Sequence, residues 1–422
     1  MNNGMTKNRT KQTENIKVRH QMKKTLVASA LAAVIFIPSV SAIEIYKDDK
    51  NAVEIGGWMD ARIINTQGAT EVVNGSSRIN FGFTRDMGND WKTFVKLEWG
   101  VNPFGNSDIV YSSESNFESQ SSDFLNNRLG YAGLAHDKYG SLSIGKQWGV
   151  WYDVVYNTNL VNTWDGNASG TYTYNKADGA INGTGRGDNT VQYRNTFGDV
   201  SFGLQVQLKQ DSFDLIADTE GNNPFPTADK SFMTGSSVAI TGESLGTIEY
   251  NNTVGGSITY AATDMLTLTA GFNLGEFDGA LESGEGISET DYIYGAGLTW
   301  GGFEQPGFYA AININKNEFH DTDNIGRLMP DAVGLESLFS YKFDNGLKPI
   351  FAYNYLKAGD AYEALYNDGE FKRQFIVVGL HFVWDEKTML YLEARKDMSD
   401  FNAANDTPDE SDGVAIGIRY YM

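Results

Sequence analysis

Arg78-Ile79-Asn80-Phe81-Gly82-Phe83-Thr84 alternates without a break between polar or small residues and large apolar ones. A strand turns successive side chains to opposite faces, so this stretch reads as a strand wetted on one face and greasy on the other. The same period of two returns at residues 93–99, 128–134, 201–208, 266–274, 307–314, 375–382 and 414–422.

The joints between these runs alternate in kind. Short, turn-rich ones lie at 86–90, 136–139, 197–199, 262–264, 301–306, 343–346 and 384–386. Long, polar ones rich in Gly, Asn and Asp lie at about 66–75, 102–124, 149–188, 211–253, 276–289, 317–330, 358–369 and 399–410. Seven short and eight long joints make sixteen strands in an all-β, up-and-down arrangement with no domain boundary. A soluble array of β-sandwiches would alternate too. Against it stand the persistent short/long rhythm and the aromatic residues Trp99, Trp148, Trp300, Trp384 and Tyr420 at or near strand ends, where an interfacial girdle belongs.

Composition agrees. The chain has 422 residues, 33 Lys+Arg against 54 Asp+Glu, 46 Gly, 8 Pro and no Cys; its mean hydropathy is −0.37. Past the leader no run approaches the ~20 apolar residues of a spanning helix. The 22 Tyr, 24 Phe and 8 Trp exceed what a coreless chain would carry. A net charge of −21 without basic clusters argues against a nucleic-acid partner.

Residues 22–42, MKKTLVASALAAVIFIPSVSA, join the basic pair Lys23 and Lys24 to an apolar core and the small-residue signature Val40-Ser41-Ala42. They predict an N-terminal extension plus signal peptide over 1–42, cleaved after Ala42, with Met22 the working initiator and the barrel over 43–422. A large exported chain without Cys cannot rely on disulfides. A closed transmembrane barrel supplies the stability instead.

Sites of reaction chemistry are not legible. His136, His320 and His381 lie far apart in sequence, and none of the phosphate-loop, nucleophile-elbow or zinc-protease patterns occurs. The expectation is no metal, no cofactor and no enzyme. A barrel-embedded hydrolase, the rival from another class, would need a Ser/His/Asp or Asn/His/Ser set.

Several segments resemble the trimeric general porins of Gram-negative outer membranes. These are Ile43-Glu44-Ile45-Tyr46-Lys47-Asp48 with Asn51-Ala52-Val53-Glu54-Ile55, Arg128-Leu129-Gly130-Tyr131-Ala132-Gly133-Leu134, and Tyr139 to Lys146 followed by Gly149-Val150-Trp151-Tyr152-Asp153. Arg186 with Tyr193-Arg194-Asn195, and Asn345-Gly346-Leu347-Lys348-Pro349 with Ala352-Tyr353, complete the set, which covers nearly all of the chain after the leader. The resemblance implies a sixteen-stranded barrel with a long constriction loop, 149–188, folded inward. It also implies passive diffusion of ions and small hydrophilic solutes, a homotrimer, and residence in the outer membrane among lipid and lipopolysaccharide. Two departures stand out. The family's acidic loop motif Pro-Glu-Phe-Gly-Gly is matched loosely by Asn162-Thr163-Trp164-Asp165-Gly166, and the chain ends Tyr420-Tyr421-Met422 where the family ends in Phe. The first leaves pore size and selectivity open.

Facing follows from parity. Ile79, Phe81 and Phe83 outward put Arg78 inward; Leu129 and Tyr131 outward would put Arg128 inward; Val191 and Tyr193 outward put Gln192 and Arg194 inward, with Arg186 in the same parity. Asp60 and Arg62 share the inward parity of Glu54 and Trp58, and Lys92, Lys96 and Glu98 also point in. Arg78, Arg128 and Arg186 match the basic cluster that the resemblance implies, with Arg62 and Arg194 beside them. Facing them on the loop are expected Asp165 first, then Asp153 and Asp178. Acidic loops such as Asp211, Asp214, Asp218 and Glu220 point to a mild cation preference or to divalent-cation bridging of lipopolysaccharide. Lys146 falls on the outward face, where a charge is expensive. A subunit interface with Glu114 and Glu118 of a neighbour's loop would relieve it. Within the same barrel type, a substrate-specific sugar or phosphate channel is the alternative; an aromatic track along the lumen would mark it, and Trp58 is its one hint.

Overall fold

The computed structural model describes residues 42–66, 68–105, 107, 109, 124–164, 166–171, 182–208, 213–216, 244–280, 286–321, 329–365, 370–401 and 412–422. The strands run in chain order as β1 (Ile43–Lys47), β2 (Asn51–Thr66), β3 (Ala69–Asn74), β4 (Arg78–Gly88), β5 (Trp91–Val101), β6 (Leu125–His136) and β7 (Gly140–Trp148). Then follow β8 (Arg186–Phe197), β9 (Val200–Gln207), β10 (Phe213–Ile216), β11 (Ser244–Ala261), β12 (Leu266–Ala280), β13 (Gly286–Trp300) and β14 (Gly307–Glu318). The last six are β15 (Ala332–Lys342), β16 (Leu347–Ala358), β17 (Phe371–Val383), β18 (Thr388–Asp397), β19 (Asp400–Phe401) and β20 (Gly413–Tyr421). Among the described residues two short α-helices, α1 (Tyr152–Val155) and α2 (Asp360–Leu365), lie in connections, and a 3-10 turn over Tyr156–Thr158 follows α1.

All ladders are antiparallel between neighbours, and the ring closes where β2 pairs with β20, Trp58 opposite Tyr421 and Thr66 opposite Gly413. Four strands are continuations of another. β3 prolongs β4 along β2, β10 prolongs β9 along β11, β19 prolongs β18 along β17, and β1 prolongs β20 along the other edge of β2. Twenty segments therefore make sixteen staves. Closure gives each of the sixteen main strands a partner on both sides, so their backbone groups bond within the ring rather than facing lipid, while β1, β3, β10 and β19 pair on one side among the described residues.

Two expected long joints are largely ladder. Residues 69–74 pair with 61–66, and β12 and β13 stay in register to Ala280 opposite Gly286. Polar composition concealed the strands because these ends rise past the apolar band, where alternation no longer needs a greasy face.

The outer face is apolar. Phe83, Leu142, Ile144, Leu204, Ile258, Ile314, Val378, Leu392 and Ile416 are exposed. At the short-turn end Trp91, Tyr139, Phe197, Trp300, Trp384 and Tyr420 are exposed as well, forming one girdle. Trp148, expected in a girdle, instead stacks on Tyr152 at 4.0 Å between ring centroids. Among the described residues no helix is long and apolar enough to cross a membrane. Residues 1–41, nearly all of the expected leader 1–42, lie outside the described residues; the first strand begins at Ile43.

Candidate functional site

The inward faces of β20, β2, β4, β5 and β6 carry a band of charge. Asp60, fully buried, accepts from Arg419 Nε at 2.7 Å, from Arg62 Nε at 3.3 Å and from the Tyr391 hydroxyl at 2.6 Å. Glu98 accepts from Arg128 Nε at 2.9 Å and lies 3.9 Å from Arg78. Trp58 sits between the two groups, with the Arg78 guanidinium 3.9 Å and the Arg419 guanidinium 4.9 Å from its ring. The planar, weakly hydrated guanidinium suits such stacking. Lys96 donates to Asn80 at 2.6 Å within the same band.

β2 can bring this band together because of Gly57. Its φ is +122°, and a Cβ there would meet the Arg78 carbonyl oxygen at 2.1 Å. Only glycine lets the two strands approach so closely beside Trp58.

The connection after β7 turns into the ring, and its described stretch from Val154 to Ala168 is tied to the inner wall. The Thr269 hydroxyl of β12 donates to the Val154 carbonyl at 2.9 Å, and Tyr309 of β14 donates to Asn157 at 2.7 Å. Glu336 of β15 accepts from the Thr158 hydroxyl at 2.6 Å and the Ala168 N–H at 2.9 Å. Glu393 of β18 accepts from the N–H groups of Asn162 at 3.0 Å and Thr163 at 2.8 Å, and His381 of β17 lies 2.8 Å behind it. Arg62 reaches from β2 to the Asn162 carbonyl at 2.8 Å. On the return, Asn315 of β14 donates to Ala168 and Arg373 of β17 to Asn167. Val161 and Trp164 pack into an apolar patch of Leu338, Ile350, Phe375 and Val377. Carboxylates bonded to backbone N–H groups are strong anchors where water is scarce.

A second anchor holds the end of the loop. His320, buried just past β14, hydrogen-bonds Asp291 through Nδ1 and the Gly170 carbonyl through Nε2, and Asn182 donates to Asp291. Burial alone would lower the His320 pKa; the charge and hydrogen bond of Asp291 and the Gly170 carbonyl outweigh it, so the pKa is raised.

The expected residues fall as follows. Arg62, Arg78 and Arg128 share the band; Arg186 lies two strands round from Arg128, its guanidinium 5.2 Å over Trp148. Arg194 pairs with Asp153 of the loop, which also accepts from the Ser257 hydroxyl. Asp165, Asp178, Glu114 and Glu118 lie outside the described residues. Lys146 is outward, opposite Gly130, and meets Asp188 of its own chain at 3.0 Å.

The facing expected of β6 is corrected. Tyr131 pairs with Lys96 and Leu129 with Glu98, so both share the inward side, while Ala132 and Leu134 face out. The register then slips, Trp99 facing Asn127, and this bulge lets Arg128 join Leu129 on the inner side. Arg128 reaches the lumen through the bulge rather than by simple alternation.

Sequence comparison gives the decisive observation. The family model described as Gram-negative porin matches residues 28–402. The chain belongs to the Gram-negative porin family. This porin is 26% identical to the putative outer membrane porin protein NmpC of Escherichia coli K12 over 415 residues, 94% of this chain and 100% of that one. It is 26% identical to the outer membrane porin OmpD of Salmonella typhimurium SL1344, over 95% of this chain and 96% of that one. Among solved structures, Salmonella typhi OmpF, described in complex with daunomycin, superposes with a TM-score of 0.64 at 19% identity, covering 90% of this porin and all of that chain. The outer membrane channel DcaP of Acinetobacter baumannii gives 0.61 at 12%. The porin is thus a multi-pass protein of the outer membrane and a channel for passive diffusion.

Sequence reading missed three residues of this porin's lumen, each marked by parity. Exposed Ile416, Ile418 and Tyr420 put Arg419 inside, exposed Leu390 and Leu392 put Glu393 inside, and Val333, Leu335 and Phe339 outward put Glu336 inside.

Proposed function

We propose that diffusion through this porin is controlled at the level where residues 149–171 face the band of Arg62, Arg78, Arg128 and Arg419, with Arg186 and Arg194 extending it. Asp153 is the acidic counterpart, and Asp165 and Asp178 are assigned to the same loop face. The observation that carries this is the loop's attachment along half of the ring, from β12 through β15 and β18 to β2. Guanidinium groups opposite a carboxylate-bearing loop set up a transverse field, which orders polar solutes and disfavours apolar ones. No bond is made or broken in the passage of a solute, and no cofactor is needed.

The working unit is a homotrimer in which Lys146 lies at the subunit interface with Glu114 and Glu118 of a neighbour, and the chain is exported by its signal peptide. The acidic surplus of the long loops gives a mild cation preference. Planar-bilayer recording of the purified protein tests the set. Conductance steps in threes and a cation-selective reversal potential in a salt gradient are expected; single steps or clear anion selectivity would reject the corresponding part.

A further inference from the structure

The start of the constriction loop has two faces. Trp151, Val154, Val155 and Thr158, spaced as one side of a helix, are 0%, 2%, 2% and 4% exposed against the wall. Trp148, Tyr152 and Tyr156, at intervals of four, occupy the other side. Tyr156 is 44% exposed although the loop that carries it is tied to the inner wall on both sides of it. Tyr152 stacks on Trp148 at 4.0 Å and 15° and lies 6.1 Å from Tyr156, so the outermost ring has two more behind it. The phenol of Tyr156 has a raised pKa, from desolvation first and then from the charge of Asp153.

Both hydrogen-bonding senses border this ridge. Asp153 presents a partly exposed carboxylate paired with Arg194, Arg186 stands over Trp148, and Asn159 donates to the Tyr152 hydroxyl at 3.4 Å. A flat apolar ring rimmed by donors and acceptors matches a solute with a C–H face and a fringe of hydroxyl groups. An aromatic ammonium ion fits less well, because two guanidinium groups flank the ridge and its one carboxylate is already paired.

We infer that Tyr156, backed by Tyr152 and Trp148, forms a stacking subsite for the pyranose ring of a neutral sugar on the lumen face of the loop. This deepens the proposed function: diffusion stays passive, but ring-bearing sugars dwell at the constriction. In planar bilayers, potassium chloride conductance recorded before any sugar reports on the channel itself. Maltotriose added afterwards is expected to block the current saturably, whereas a polyethylene glycol of matching mass reduces it without saturation. Y156A raises the half-blocking concentration by about three- to ten-fold, the worth of one aromatic contact, while Y156F stays near the parent. Should Y156A fail to insert, Y156L, which keeps bulk without the ring, is read in its place. With conductance intact, equal behaviour of maltotriose and the glycol, block unchanged in Y156A and Y156L, or saturable block by benzyltrimethylammonium but not by maltotriose would overturn the subsite and leave the channel reading standing.

Discussion

The lumen's two sides use charge differently. On β20, β2, β4 and β6 the cations Arg419, Arg62, Arg78 and Arg128 share two acids, Asp60 and Glu98, and stack on Trp58. On β13, β15 and β18 the acids Asp291, Glu336 and Glu393 meet side-chain amides, hydroxyls and histidines, and Glu336 and Glu393 also hold the loop's own N–H groups. Apart from Arg128, which enters through the bulge, both sets reach the interior by the same alternation. One side is crowded with positive charge that a passing solute feels. The other spends its negative charge on holding the loop, so a buried acid need not signal an acidic pore.

Glu393→Ala breaks this contrast most severely. It strips the Asn162 and Thr163 N–H groups and His381 of their shared acceptor in a buried site, a loss of about 3–5 kcal/mol. A lower midpoint for heat-induced gel-mobility change and noisier single-channel current are expected; a quiet channel melting like the parent would remove Glu393 as an anchor.

His320 sharpens the contrast through pH. Its folded pKa is raised, so its contribution to stability is complete below the ordinary value near 6.5 and is lost as pH rises through the higher folded value. Thermal midpoints are expected to fall across that window in the parent and to lie flatter in His320→Gln. A parent-like slope in the variant would assign the titration elsewhere.

Neutralising the cationic side leaves the fold and changes selectivity. Arg78→Gln is expected to raise the cation-to-anion permeability ratio by about two- to three-fold, read from reversal potentials in a salt gradient. An unchanged ratio would show that the band is screened from the solute path. Trp384→Ala, which removes a 68% exposed ring of the outer girdle, is the control; its effect on stability is expected to stay under about 1 kcal/mol.

Strand number, exterior and most inward residues were legible because lipid and water enforce a strict period of two. Arg78, Asp60, Arg62, Gln192 and Arg194 all follow it. The rule failed at Arg128, where a bulge without composition signal of its own resets the parity, and Leu129 and Tyr131 were misplaced because they alternate correctly but turn apolar side chains inward. It was silent on Glu336 and Glu393 because the sequence shows that an acid faces inward but not which loop amides it will meet. The path of residues 149–171 is set by contacts with strands up to 231 residues distant, such as Asn162 with Glu393, which no local pattern encodes.

The tether clamps staves that stand far apart in the chain, since early β2 and late β12, β15 and β18 all hold its backbone. It is a brace as well as a constriction, and lengthening the segment between Val150 and Gly170 is expected to slacken the cylinder as well as to change what passes.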